Sequence, residues 1–324
     1  MNLSFPISFP KALTQWFGSK SLDFRVGISL HSKWVRMVKG QIIDDSWHYL
    51  CSEEIEIDGE EQWKKVLITL IKRHNLEQAI CFLVLPAQRY QMLQIDKPAI
   101  PDEEISGALA WAVKDLVAGI APEDIVADFM HMPAKSPGQG DKLNVIVTNN
   151  KTIRPLIAVF HELKVQLGGI IPEELTTRNL IDTDDCASLT LVQQQNEEMI
   201  LQIIKNEQLF IARKLRGFNR IHQHTVEELE QGVIDNIYLE IQRSMDFFDS
   251  QLKQPQVKNV LLALPCVHQD LIIEQFAMHF KVAVSRLIVN HKKVVMDDPL
   301  SEQFFPALGG ALEYMSQGEV VHES

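Results

Sequence analysis

Between Val26 and Arg36 the sequence reads VGISLHSKWVR. Apolar residues alternate at Val26, Ile28 and Leu30, His31 and Ser32 mark a turn, and a second run follows, the outline of a β-hairpin. With Gly27, Ser29, His31 and Ser32 near its turn, it brings small and hydroxyl residues and backbone N–H groups together, the equipment of a phosphate loop. A second polar turn, LVQQQNEEM, carries Gln193, Gln194, Gln195 and Asn196, then Glu197 and Glu198. Paired carboxylates are potential metal ligands, but at a turn they more often form a solvated edge. His222 and His224 have the i, i+2 spacing of two strand ligands, with no Cys or carboxylate partner at ligand spacing. No Gly-x-Ser-x-Gly elbow points to a hydrolase.

The bulk of the chain narrows the classes. At 324 residues it has room for two cores. Lys and Arg number 31 against 43 Asp and Glu, a formal charge of −12 that repels nucleic acid. The four cysteines, Cys51, Cys81, Cys186 and Cys266, lie far apart, as in a reduced cytoplasmic protein. No apolar run approaches the roughly 20 residues of a membrane span. Near the N-terminus, Leu13, Trp16 and Phe17 share one face of a short helix between Pro10 and Gly18, a candidate membrane or partner face.

Three strands are expected over 25–30, 34–39 and 46–57. A helix over 61–74 follows, with a stripe of Trp63, Val66, Leu67, Leu70 and Ile71, then a buried strand ending at Pro86. The order recurs: strands over 187–192, 199–204 and 208–215, a helix over 233–253, and a buried strand ending at Pro265. A repeated β-β-β-α-β unit is thus legible from pattern alone. Between the copies lies an α+β insert at about 87–150, with a helix over 101–117 burying Ile105, Leu109, Val113 and Leu116. A further helix is expected to end at Gly168 and Gly169. The expected organisation is a tail or short helix over 1–20, a first half over 21–181 with the insert, and a second half over 182–324 with a C-terminal helix.

The strings IPDEEISGALAWAVKDLVAGIAPEDIVADF, LKVQLGGIIPEELTTRNL, YLEIQRSMDFFDSQ and FFPALGGALE, in this order, resemble the PilM family of actin-like type IV pilus assembly proteins, with its MSHA pilus members nearest in pattern. Glu240, Ile241, Arg243, Ser244, Met245, Asp246, Phe247 and Phe248 match a helix motif of that family. The resemblance spans about 300 residues. It implies an α/β, actin-like fold of two ribonuclease H-like halves, the insert lying in the first. It also implies a cytoplasmic protein, peripheral on the inner membrane, that binds the cytosolic tail of a single-span PilN-like protein and engages assembly motor components.

Against the family's pattern, the expected loop Asp is Ser29 and the turn glycine is His31, while Gly27 and Ser32 remain. The second turn lacks glycine, and Pro265, Cys266 and Val267 replace the paired glycines of an adenosine loop. These departures imply a non-catalytic scaffold without ATP or Mg. The alternatives are a nucleotide-switched actin-like ATPase of pilus assembly or type II secretion, or a type II secretion platform protein. Trp111 matches a family position in the insert helix and is the candidate partner-binding residue. Ala112 stands where a Glu often follows, and core packing is the competing reading of Trp111.

Overall fold

The computed structural model describes residues 23–133, 140–182 and 185–313. In the first half, β1 (Phe24–Leu30), β2 (Trp34–Ile43) and β3 (Ser46–Glu56) form an antiparallel meander. Helix α1 (Trp63–Arg73) leads to β4 (Ala79–Leu85), which pairs parallel with β1. The stripe of Trp63, Val66, Leu67, Leu70 and Ile71 is the buried face of α1, as its spacing requires.

The insert follows as β5 (Tyr90–Asp96), α2 (Asp102–Val113), β6 (Ile125–His131) and β7 (Lys142–Asn149). Its antiparallel sheet has the order β5-β7-β6 and is covered by Ile105, Leu109 and Val113 of α2. Leu116, expected on that face, is instead exposed, because α2 ends at Val113. Leu13, Trp16 and Phe17 fall outside the described residues.

Helix α3 (Asn150–Glu162) returns the chain to the first sheet, where β8 (Gln166–Pro172) pairs parallel with β4. Gly168 and Gly169 therefore do not end a helix. The chain leaves α3 through Lys164 at φ 55°, and Gly168 is a strand residue whose Cβ would lie 2.6 Å from Cζ of Phe82. A short helix, α4 (Glu173–Thr176), closes this half.

The second half repeats the plan. Strands β9 (Ser188–Val192), β10 (Met199–Lys205) and β11 (Gln208–Leu215) form a meander, followed by the single turn α5 (Val226–Glu228) and the long α6 (Ile234–Ser250). Then come β12 (Asn259–Ala263), α7 (Gln269–His279) and β13 (Ala283–Arg286). The sheet order β11-β10-β9-β12-β13 reproduces β3-β2-β1-β4-β8 strand for strand.

The chain then returns to the first half. Strand β14 (Val294–Val295) adds to β3, and α8 (Phe305–Ala311), every residue of it buried, packs on β1. The C-terminal helix, grouped by sequence with the second half, thus lies against the first sheet. Gly27 permits this, since a Cβ there would sit 1.8 Å from the Ala307 carbonyl oxygen. Val38 and Phe82 of one half, Val192 and Ala263 of the other, and Ala307 and Leu308 share one core cluster, so α8 joins both halves.

Candidate functional site

The β1–β2 and β9–β10 turns face each other across the junction of the halves. Ser29 pairs with Arg36 across the first hairpin, and both are buried. Arg36 Nε donates to Glu54 Oε2, Nη1 to Gln194 Oε1 at 2.9 Å, and Nη2 to Gln303 Oε1 at 2.8 Å. One guanidinium therefore ties β2 to β3, to the second turn and to the segment entering α8. Its five donors in a planar fork suit this. Burial pulls its pKa down, opposed by Glu54 and then Glu173.

Ser32 Oγ donates to Glu197 Oε1 at 3.5 Å, and Gln88 Nε2 donates to Glu197 Oε2. Gln193 Nε2 donates to the Glu197 carbonyl at 2.7 Å and to that of Phe218 at 2.9 Å. The glutamines thus brace the second turn with side chains. His31 is 3% exposed, its carbonyl accepts from Trp63 Nε1 at 2.9 Å, and burial, helped by Arg36, pushes its imidazole down to about 3. It is neutral at physiological pH.

Behind these turns lie Glu173 and Glu174 at the start of α4, both buried. Burial, reinforced by Glu197, pushes the Glu173 carboxyl up to about 8 against the pull of Lys214 and Arg36. Burial likewise pushes Glu174 up to about 7, opposed by Lys214. Sequence reasoning read this acidic pair only within a family string. Its burial had no signal there, since carboxylates opening a helix are ordinarily solvated.

Arg36 was equally missed, although a cation in an alternating apolar strand is a signal that it needs a partner inside. The turn after β12 closes on itself: Leu264 N donates to Gln269 Oε1, and Gln269 Nε2 donates to Glu302 Oε1 at 3.1 Å. His222 sits in a short turn, and His224 Nδ1 lies 3.5 Å from Glu228 Oε2. Among the described residues no group of three or more His, Cys, Asp or Glu is arranged to hold a metal ion.

A nucleotide triphosphate needs backbone N–H groups open to it at the turns and positive charge between them. Here Ser32 and Arg36 are bonded to Glu197 and Gln194, a carboxylate faces the first turn, and the imidazole is neutral.

Trp111 projects from the outer face of α2, 74% exposed, with Lys114 Nζ 4.3 Å from its ring centroid. It is not a core residue. Two grooves flank the insert. One of about 240 Å³, where the insert joins the first half, is lined by Tyr90, Gly119, Ile120 and Val147 among others. The other, of about 690 Å³, lies between β5 and β7 on one side and β11 and α6 on the other. Trp111 lines neither.

No protein-family model and no curated protein sequence matches the chain. Among solved structures, the PilM-PilN type IV pilus biogenesis complex matches with a TM-score of 0.64 at 15% identity, over 90% of this chain and 98% of that one. The chain has the actin-like fold. More distant are the cytoplasmic domain of EpsL, an inner-membrane component of the type II secretion system of Vibrio cholerae, and a Bacteroides thetaiotaomicron protein with an actin-like ATPase fold. Each has a TM-score of 0.48, at 10% and 11% identity, covering 90% and 84% of this chain and 94% of each of those. Within this actin-like frame the bridged turns occupy the junction of two ribonuclease H-like halves, and the insert is a separate α+β unit. No described helix is long and apolar enough to cross a membrane.

Proposed function

We propose that this chain is a non-catalytic, nucleotide-free actin-like scaffold of a type IV pilus assembly platform of the MSHA type. It binds the cytosolic tail of a single-span PilN-like membrane protein, which holds it peripherally on the cytoplasmic face of the inner membrane and within reach of the assembly motors. The observation that carries this reading is the side-chain bridge between the two turns, Arg36 to Gln194 and Ser32 to Glu197, in the place where an active relative would hold phosphates. The likeness in fold to a complex of PilM with PilN supports the choice of partner.

The groove where the insert meets the first half is the site assigned to the tail. It is narrow, and an extended peptide there would gain main-chain hydrogen bonds and side-chain pockets together. The test is calorimetric titration of a synthetic peptide covering the PilN-like protein's cytosolic tail into the full chain. Micromolar binding without nucleotide is the expected result. Binding only when Mg-ATP is present would replace the scaffold with a nucleotide-switched assembly ATPase.

A further inference from the structure

The larger groove beside the insert has a different character. β5 is an outer strand of the insert's sheet, paired only with β7, and β11 is an outer strand of the second half's sheet, paired only with β10. Among the described residues no strand covers either outer edge. The groove takes in residues 209–213 of β11 in succession and so opens on that strand's row of main-chain donors and acceptors, the feature that lets a sheet accept another strand, while Met92, Gln94, Asn144 and Lys142 present one face of the insert's sheet to it.

Its lining is apolar and cationic. Met92, Leu209, Ile211 and Leu252 contribute apolar surface, and Phe247 of α6 is 47% exposed there. Lys142, Arg213 and Arg243 also line it, and among the described residues no Asp or Glu does. Arg213 and Arg243 share a single carboxylate, Glu240, at 3.0 and 2.6 Å, which leaves the pair with excess positive charge. On a chain of net charge −12 this is a local reversal of sign.

We propose that this groove binds an extended segment of a partner protein in which apolar residues alternate with carboxylates. The segment adds as a strand to the edge of β11, turning its carboxylates to Arg213 and Arg243 on the α6 side and its apolar side chains to Met92 on the insert's side. The alternation follows from strand geometry, which sends successive side chains to opposite faces. This occupant is separate from a membrane protein's tail at the smaller groove, and the proposal holds or fails independently of that reading.

The probe is a fluorescent eight-residue peptide alternating Glu and Val, compared with its Lys and Val counterpart, titrated into the full chain and followed by anisotropy. The Glu/Val peptide is expected to bind at least about tenfold more tightly, with hydrogen exchange slowed in β11. R213E/R243E is expected to weaken it about tenfold or more. R243E alone, at a 66% exposed side chain, repeats the test if the double variant unfolds. Raising the salt concentration is expected to weaken binding, since the charged rim is open to solvent.

Failure to bind, equal affinity for both peptides, indifference to R243E, or protection confined to other strands would each overturn the proposal. So would concentration-dependent dimerisation that protects β11, which would make the occupant a second copy. Binding that appears only after deletion of residues 314–324 would assign the groove to this chain's own C-terminal segment instead.

Discussion

Arg36 Nη1 donates to Gln194 Oε1 at 2.9 Å, so a buried guanidinium in the first hairpin is bonded directly to the turn of the second. The same side chain takes Glu54 as its counter-charge and reaches Gln303 beside α8. Removing the charge of Glu54 leaves that guanidinium buried among neutral acceptors and weakly ionised carboxyls. Glu54→Gln is expected to destabilise by about 2 kcal/mol, given that Glu54 is itself partly solvated. Urea unfolding checks this, and an unchanged midpoint would mean the ion pair contributes nothing.

Stability is expected to fall as pH rises from about 6.5 to 8. Glu173 and Glu174 have folded-state values of about 8 and 7, above the ordinary 4.5, so the folded chain holds protons that the unfolded chain has released. Their contribution is complete below about 4.5 and is lost as pH rises through the folded values. His31, lowered to about 3 from 6.5, acts oppositely, losing its contribution as pH falls from 6.5 toward 3. The two effects oppose each other between 4.5 and 6.5, and only the carboxyls act above. Glu173→Gln is expected to flatten the alkaline fall, measured as melting temperature across the pH series.

Gly27→Ala is expected to destabilise by about 3 kcal/mol or more, because the new methyl meets backbone of α8 rather than a movable side chain. α8 would have to lift from β1 and from the cluster joining the halves. Limited proteolysis near residue 300, together with the unfolding midpoint, checks this. Normal stability would mean the helix shifts without cost.

Trp111→Ala is expected to change stability by no more than about 0.5 kcal/mol, as for other exposed positions away from special features. Affinity for the PilN-like tail is expected to drop about tenfold. Trp111 lies outside the smaller groove's lining, so any effect requires the tail to run beyond it onto α2. Unchanged affinity would remove Trp111 from the partner surface.

The duplicated unit was legible because α1 and α6 keep helical apolar spacing and β4 is a continuous apolar run. The segment 163–172 was misread because Gly168 and Gly169 look like a helix stop, whereas the strand's glycine is demanded by the Phe82 ring on the neighbouring strand, a contact remote in sequence. The changes at Ser29, His31 and the glutamine turn were visible in sequence. That Arg36 and Glu197 draw the two turns together was not, since it depends on residues 158 and 165 positions apart. The return of α8 to β1 was hidden for the same reason.

The most direct test of the account is calorimetric titration of Mg-ATP into the purified full-length chain. The bridged turns predict no measurable binding at millimolar nucleotide. Micromolar binding abolished by substitutions at Ser29 or His31 would contradict it, and would show that Arg36 and Glu197 part to admit phosphate.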